Sequence, residues 1–312
     1  MIAVEQVRKN YNGTRGLDGF SLRVAEGELF GLVGPNGAGK TTLIKILSTL
    51  LRPDSGRALV AGWDVTAHPQ EVKRTVGYMP DQPGLYQDMR VGELLEFFAN
   101  AFRLPRERRR AAVTRGLEWS GLSARRNDYI EELSFGMKQR LFLARTLLHD
   151  PKVLLLDEPA TGLDPLARID LRRQLKELNA QGITILISSH ILADLEDICS
   201  RVALISEGKN ATDAEGTSLI VNLQEAAPPR VAYEVEVLGD AVKAAERAGE
   251  LAGIKIVEQH PTRLVLEIEG GPPQASQLLR HLVMGGIDVV KFARRAATLE
   301  DRYQHAFGGK PR

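Results

Sequence analysis

The chain has 312 residues, 43% of them hydrophobic, with 41 basic and 40 acidic side chains. That is enough apolar material for a core, which excludes global disorder, and the near-cancelling charge argues against a chain built to coat nucleic acid or an anionic membrane surface. The lone cysteine, Cys199, excludes an internal disulfide, and no apolar run reaches the roughly 20 residues of a membrane-spanning helix.

The N-terminus, MIAVEQVRKNY, lacks the apolar core of a signal peptide, so the sequence reads as soluble and cytoplasmic. Residues 2–9 alternate as a strand with Tyr11 at its end, and residues 17–24 are a second strand. An apolar run then ends at Val33. The stretch Gly34-Pro35-Asn36-Gly37-Ala38-Gly39-Lys40-Thr41 fits G-x-x-x-x-G-K-[ST], the phosphate-binding P-loop. Backbone N–H groups must converge on phosphate oxygens there, and glycine permits positive φ and close approach. The first turn of the following helix adds unpaired donors and a positive dipole end. Lys40 reaches β- and γ-phosphates, and the Thr41 hydroxyl, next to Thr42, is a ligand for Mg²⁺. A glycine-rich strand–helix turn without function is the bland alternative.

Residues 41–51 continue as a helix that stops near Pro53-Asp54-Ser55-Gly56. A strand at 57–61, a short helix at 69–75 and a strand running into a loop at 76–86 follow. From Val91 to Ser120 the chain reads helical, with an apolar LLEFFANAF face and a basic stretch holding Arg103, Arg106, Arg108, Arg109, Arg110 and Arg115. That basic stretch is either a solvated helix face or a docking surface for a partner. After Glu132-Leu133-Ser134-Phe135-Gly136-Met137-Lys138-Gln139-Arg140 a helix runs through Leu148. Val153–Leu156 is apolar on both faces, as a central parallel strand should be, and ends in Asp157-Glu158-Pro159. A second such run, 183–187, ends in Ser188-Ser189-His190. Strands alternating with helices, with polar residues at strand C-terminal ends, indicate an α/β sheet with its site along that edge.

These stretches together resemble the ATP-binding cassette (ABC) ATPases, the nucleotide-binding subunits of ABC transporters. The resemblance covers about residues 2–224 and rests on five motifs in family order: GPNGAGKTT; LSFGMKQR, similar to the family's signature; VLLLDEP, the Walker B strand; ATGLDP, the D-loop; and ISSH. It implies ATP and Mg²⁺ as cofactors and an α/β P-loop NTPase fold with a helical subdomain at about 88–150. Asp157 closes a buried strand, where it holds Mg²⁺ through water or serves as a helix cap. Glu158 is placed to orient or deprotonate the attacking water, an ordinary surface glutamate being the alternative. By resemblance, His190 contacts the γ-phosphate, Tyr11 stacks on adenine, and Asp164 contacts the opposite subunit unless it is simply an N-cap before Pro165. Two departures stand out. Phe135 and Met137 replace a glycine and the glutamine of the usual L-S-G-G-Q, while Ser134 and Gly136 remain for γ-phosphate binding. The Q-loop glutamine falls at Asp81, with Gln82 beside it, so either one is the residue facing Mg²⁺.

The resemblance implies two copies that sandwich two MgATP molecules, a homodimer driving a separate membrane permease from the inner face of the cell membrane. The wording GYMPDQPGLY and LSFGMKQR is similar to exporter-type cassettes of the drug-resistance kind. A non-transport ABC ATPase acting on ribosomes or nucleic acid is the alternative, and no nucleic acid is expected as partner in the main reading. Beyond residue 208 the resemblance thins. A polar turn region at 208–216, a short helix capped at 217–219 and a linker at 226–229 lead to an accessory domain, 225–312. Its strands and helices, at 233–237, 240–250, 254–258, 264–268, 272–284 and 287–292, follow the order β-α-β-β-α-β, the α+β ferredoxin-like arrangement. A last helix is expected from Thr298. No glycine loop, metal cluster or nucleophile–base pair is seen in this part.

Overall fold

The computed structural model describes residues 1–11, 13–82, 84, 86, 88–191, 193–212, 220–222, 230–269 and 272–295. The expected helix at 217–219, the linker at 226–229 and the last helix from Thr298 lie outside the described residues. The chain divides into two compact units, Met1–Gln224 and Glu225–Arg312.

In chain order the first unit runs β1 (Ile2–Tyr11), β2 (Thr14–Val24), β3 (Leu29–Val33), α1 (Lys40–Leu47), β4 (Ser55–Val60), β5 (Trp63–Asp64), α2 (Pro69–Thr75), β6 (Val76–Met79), α3 (Val91–Ala101), α4 (Arg106–Ser120), α5 (Phe135–Leu147), β7 (Val153–Leu156), α6 (Pro165–Ala180), β8 (Thr184–Ser189), α7 (Ala193–Glu196), β9 (Arg201–Ser206), β10 (Lys209–Asn210) and β11 (Ile220–Asn222). Two sheets result. One is antiparallel, in the order β2-β1-β4-β5. The other has a parallel centre, β9-β3-β8-β7-β6, with β10 and β11 added antiparallel to β9. Every residue of β3, β7 and β8 is buried, which explains why these strands carry no polar alternation until their last residues. Helix α1 sits in the core shared by both sheets, with Leu43, Ile44, Ile46 and Leu47 fully buried. A helix apolar on most of its surface is a core helix, and its burial fixes where the P-loop points.

Three features depart from the sequence-based expectation. Strand β9 is absent from that expectation, yet it pairs with β3 over most of its length. Helix α1 ends at Leu47 rather than at 51, because Thr49 turns to φ 63°. The helical stretch 91–120 is two helices, broken where Arg103 adopts φ 56° ahead of Leu104-Pro105. Proline disfavours helical backbone at the residue before it, so the break is local in origin.

The second unit runs β12 (Arg230–Val237), α8 (Ala241–Gly249), β13 (Ile254–Gln259), β14 (Arg263–Glu269), α9 (Pro272–Met284) and β15 (Val289–Arg295). The sheet order β13-β14-β12-β15, antiparallel throughout, is the ferredoxin-like arrangement. Ala241, Ala244, Ala245 and Ala248 of α8 and Leu278 and Leu282 of α9 pack on Val235, Leu264 and Leu266. Small alanines let α8 approach its sheet closely. Asp240 caps α8 by accepting from Val242 N at 2.9 Å.

Candidate functional site

The buried strand β3 delivers the chain into the loop Gly34–Gly39, whose outer residues Pro35, Asn36 and Gly37 are exposed. The glycines do different jobs. A Cβ on Gly34 would lie 2.3 Å from Ile205 O, and one on Gly39, at φ 109°, would lie 2.4 Å from Gly16 O. Those two positions make room for the protein's own backbone. Gly37, at φ 81°, is different: a Cβ there would meet nothing within 4 Å, so this glycine faces open space and is the one suited to approach by a phosphate. The loop is held from outside: Gly208 N donates to Ala38 O at 2.9 Å, and Asp18 N donates to Gly208 O at 2.8 Å. Gly39 is the N-cap of α1 and brings no side-chain acceptor, which leaves first-turn N–H donors available to an anion. Thr41 is exposed at that turn, and Thr42 lies beside Gly16. The Tyr11 ring also lies over Gly16, so the sequence-predicted adenine-stacking residue is next to the P-loop helix, 42% exposed.

Lys40 is buried. Its Nζ donates to Gly34 O at 2.6 Å and Pro35 O at 3.1 Å and lies 3.1 Å from Glu158 Oε1. The other Glu158 oxygen, Oε2, is 2.7 Å from His190 Nδ1 and accepts from Thr161 Oγ1 at 3.3 Å. Lys40, Glu158 and His190 therefore form one cluster, built from the start of α1, the end of β7 and the end of β8. Glu158 holds φ 49°, an uncommon conformation for a side-chain-bearing residue. Burial pushes its carboxyl up, but hydrogen bonding from His190 and the charge of Lys40 outweigh burial and hold it below the usual glutamate range.

The adjacent Asp157 behaves oppositely. It is fully buried; Ser188 Oγ donates to its Oδ1 at 2.7 Å, and its Oδ2 has no hydrogen-bond partner among the described residues. Burial pushes its carboxyl above the usual range, Ser188 and the nearby Thr41 hydroxyl temper the rise, and the negative charges of Asp81 and Glu158 add to it. Asp81 is thus the Q-loop candidate whose charge reaches Asp157, and it also helps raise the Tyr78 hydroxyl, pushed by burial to about 12. Gln82 is exposed. An orphaned buried carboxylate oxygen flanked by two more carboxylates suits a divalent cation. No group of three metal-ligating side chains occurs among the described residues.

Two residues that sequence reasoning passed over complete this centre. Ser188 accepts from Glu158 N at 2.9 Å while donating to Asp157 Oδ1, so one buried hydroxyl ties the Asp157 carboxylate to the Glu158 backbone. It stands two residues before His190, and that strand period was the available signal. Gln139 is buried, and its Nε2 donates to Pro159 O at 2.6 Å, tying α5 to the turn after Glu158. Nothing in the sequence showed that contact.

Ser134 caps α5, accepting from Met137 N at 3.3 Å, and Asp164 caps α6, accepting from Ala167 N at 2.9 Å. A cleft of about 270 Å³ opens between the first turns of these helices, lined by Ser134, Gly136, Met137, Arg140, Asp164 and Leu166 among others, with no P-loop residue. The Phe135 ring lies over Gly162, whose φ of 77° only glycine adopts readily. Part of the basic stretch is paired with its own chain at the surface. Arg108 and Arg115 meet Asp150 at 3.1 and 2.9 Å, and Arg109 donates to Leu104 O at 3.1 Å.

The model of the ABC transporter family matches residues 17–161. The Nod factor export ATP-binding protein I of Burkholderia pseudomallei (strain 1710b) is 40% identical over 242 residues, which are 78% of this chain and 75% of that protein. The daunorubicin resistance ATP-binding protein DrrA3 of Streptomyces coeruleorubidus is 33% identical over 98% of this chain and 96% of its own length. Among solved structures, cbiO1 from Clostridium perfringens, part of the ABC transporter complex cbiONQ, superposes with a TM-score of 0.63 at 30% identity, covering 72% of this chain and 88% of that one. With a P-loop, a carboxylate pair and a strand-end histidine gathered on one sheet edge, and relatives this similar over most of their length, the chain belongs to the ABC transporter ATP-binding proteins.

Proposed function

We propose that this chain is the ATP-hydrolysing subunit of an exporter-type ABC transporter, acting as a homodimer against a separate membrane subunit on the inner face of the cell membrane. The observation that carries the reading is Glu158, held between Lys40 and His190 at 3.1 and 2.7 Å and kept ionised by them. ATP binds with its phosphates over the Gly34–Thr41 loop and its base on Tyr11. Lys40 binds the β- and γ-phosphates. Thr41 and Asp157, with Asp81 or Gln82 from the Q-loop, would hold Mg²⁺, which when bound neutralises phosphate charge and draws electrons from the γ-phosphoryl group. Glu158 orients the attacking water and accepts its proton, and His190 positions Glu158 while facing the γ-phosphate.

The P-loop and the Ser134–Gly136 cleft have no lining residue in common, which favours assembly of each site from two chains, the cleft of one copy closing over the nucleotide of the other. Asp164 contacts the opposite copy from the same cleft. No helix among the described residues is long and apolar enough to cross a membrane, and the transport path is assigned to a separate subunit on the family's pattern. The relatives named for export and drug resistance favour transport over action on ribosomes or nucleic acid. The division at about residue 224 leaves every proposed nucleotide-site residue in the first unit, which supports an accessory role for the second. The test is Glu158→Gln in the purified protein: ATP binding is retained, and turnover falls by about 10²–10⁴, the usual worth of a general base. Turnover near wild type would remove Glu158 from the mechanism.

A further inference from the structure

A second cavity, of about 620 Å³, lies in the first unit away from the nucleotide site. Pro151 and Ile183, which line it, stand just before β7 and β8, whereas Asp157, Glu158 and His190 stand at the far ends of those strands. The cavity is therefore at the opposite edge of the parallel sheet. Its size is that of a pocket for a small organic molecule, roughly 300–1,000 Å³. Leu147 and Leu148 at the end of α5 and Leu178 in the last turn of α6 give it apolar walls, and the half-buried Trp119 of α4 adds an indole.

The charge around the cavity selects the sign of its ligand. Three helices, α4, α5 and α6, end on it, and helix C-termini carry partial negative charge. Neither α4 nor α6 has a basic residue in its last turn to answer that potential. The one in α5, Arg145, is stacked over the Phe98 and Phe142 rings, at 4.7 and 5.4 Å. Glu118, on the rim, is exposed, and its carboxylate has no hydrogen-bond or ion-pair partner among the described residues. The rim's cation, Arg115, is already matched: Asp150 meets it at 2.9 Å, and Arg108 at 3.1 Å. A free carboxylate, three negative helix ends and an indole, the ring that holds cations best, all favour a positive ligand.

We infer that this cavity binds an organic cation with a bulky apolar body, its charge toward Glu118 and Trp119, and that its occupancy tunes the nucleotide cleft. The second half follows from the helices. The first turns of α5 and α6 frame the cleft at Ser134 and Asp164, and the C-terminal ends of the same two helices frame this cavity. They are rods of 13 and 16 residues, about 20 and 24 Å long at helical rise. A body wedged between their C-terminal ends shifts the spacing of their N-terminal ends. The effect on turnover rests on the homodimer proposed above, where the cleft of one copy acts on the nucleotide of the other; the binding itself does not.

The probes are tetraphenylphosphonium and tetraphenylborate, near-identical bodies of opposite charge, titrated into the full purified chain by isothermal titration calorimetry. The phosphonium should bind at one site per chain, about tenfold or more tighter than the borate. Glu118→Gln, at an exposed position where folding is undemanding, should weaken the phosphonium about fivefold, the upper end for a pair that reaches solvent. Trp119→Leu should weaken it by about the same factor through the lost cation–π contact. Phosphonium should shift the ATP concentration for half-maximal hydrolysis about fivefold in wild type. In Glu118→Gln, whose hydrolysis without phosphonium should be normal, the same shift should need about five times more of it. No binding, equal binding of both probes, or full retention of affinity in both variants overturns the site. Binding without any shift in the ATP dependence overturns the effector role and leaves the site standing. A wild-type chain that does not hydrolyse ATP overturns the proposed function instead, and the calorimetry still decides the site.

Discussion

The two units handle polar groups in contrasting ways. At the ends of β7 and β8, Asp157, Ser188 and Glu158 are buried or nearly so and close-set, and Asp157 Oδ2 has no hydrogen-bond partner among the described residues. On the second unit, polar groups are exposed and matched. Lys291 meets Glu234 and Glu236 at 3.2 and 3.6 Å, and Glu250 meets Arg247 and His281 at 3.1 and 2.9 Å. A parallel sheet buried on both faces forces polar chemistry to its strand ends, where several strands finish together. An antiparallel sheet with helices on one side leaves its other side for ion pairs, which screening makes weak. Chemical capacity follows the first arrangement: an unmet buried acceptor has a reason to bind something, and a solvated pair does not.

The sharpest way to break that contrast is Asp157→Asn. Turnover should fall on the order of 10²–10³-fold, because several kcal/mol of charge stabilisation at the phosphates is lost. The unfolding midpoint should nevertheless rise. Burial and the charges of Asp81 and Glu158 push the Asp157 carboxyl up, so its ionised form costs the folded state stability at neutral pH, and the amide removes that cost. Thermal melts paired with ATPase assays check both halves; a lowered midpoint would mean that Asp157 is a structural residue like those of the second unit.

A change confined to the second unit should do the reverse. Leu278 is fully buried there, and Leu278→Ala should cost about 2–5 kcal/mol, read by denaturant unfolding, with the KM for ATP unaltered. A chain truncated after Gln224 should likewise fold and bind ATP, while its dimer stability or turnover changes. If it is soluble but unable to bind ATP, the second unit belongs to the nucleotide site and the contrast collapses.

The smallest effect concerns pH. Glu28, just ahead of β3, accepts from Arg201 Nε at 2.7 Å and from its terminal nitrogen at 2.9 Å, and also from Ala25 N at 2.7 Å. Burial pushes the carboxyl up, but these bonds outweigh it and leave it below its reference value of 4.5. A depressed carboxylate contributes stability that is fully present above the unfolded value and is lost as pH falls through the folded one. Melts between pH 6 and about pH 3 should therefore fall more steeply for wild type than for Glu28→Gln. Glu250 of the second unit is also held low, by Arg247 and then His281, but it is exposed, so Glu250→Gln should leave the acid limb unchanged.

Parts of this molecule were readable before any fold was known. The P-loop is a contiguous run whose glycines, lysine and threonine carry their own geometry, and β7 and β8 announce themselves as short apolar runs ending in Asp157 and His190. The order of the second unit was legible from alternation, since each strand has one buried face. Strand β9 was missed although RVALIS is nearly as apolar as the run at 153–156, because it follows directly on the polar segment after β8 and no motif closes it. Its loss mattered: Ile205 of that strand lies against Gly34, and Gly208 just beyond it donates to the P-loop at Ala38 O. The break between α3 and α4 was signalled by Leu104-Pro105 and overlooked behind the long apolar and basic pattern.

What the sequence by itself determined was the inventory and its local geometry: a glycine turn onto a helix, carboxylates at a strand end, a histidine at the next, caps at Asp164 and Asp240. These depend on residues near one another in the chain, and backbone sterics or a short-range hydrogen bond suffices to set them. Tertiary structure decided which of them share a site. Lys40 and Glu158 are separated by more than a hundred residues and meet only because β3, β8 and β7 lie side by side in parallel register. The same packing buries Asp157 with one oxygen unmet, sets Ser188 between the Asp157 carboxylate and the Glu158 backbone, and stacks Arg145 on rings from α3 and α5. Those are properties of desolvation and of long-range neighbours, and they come into being only when the sheets close over α1.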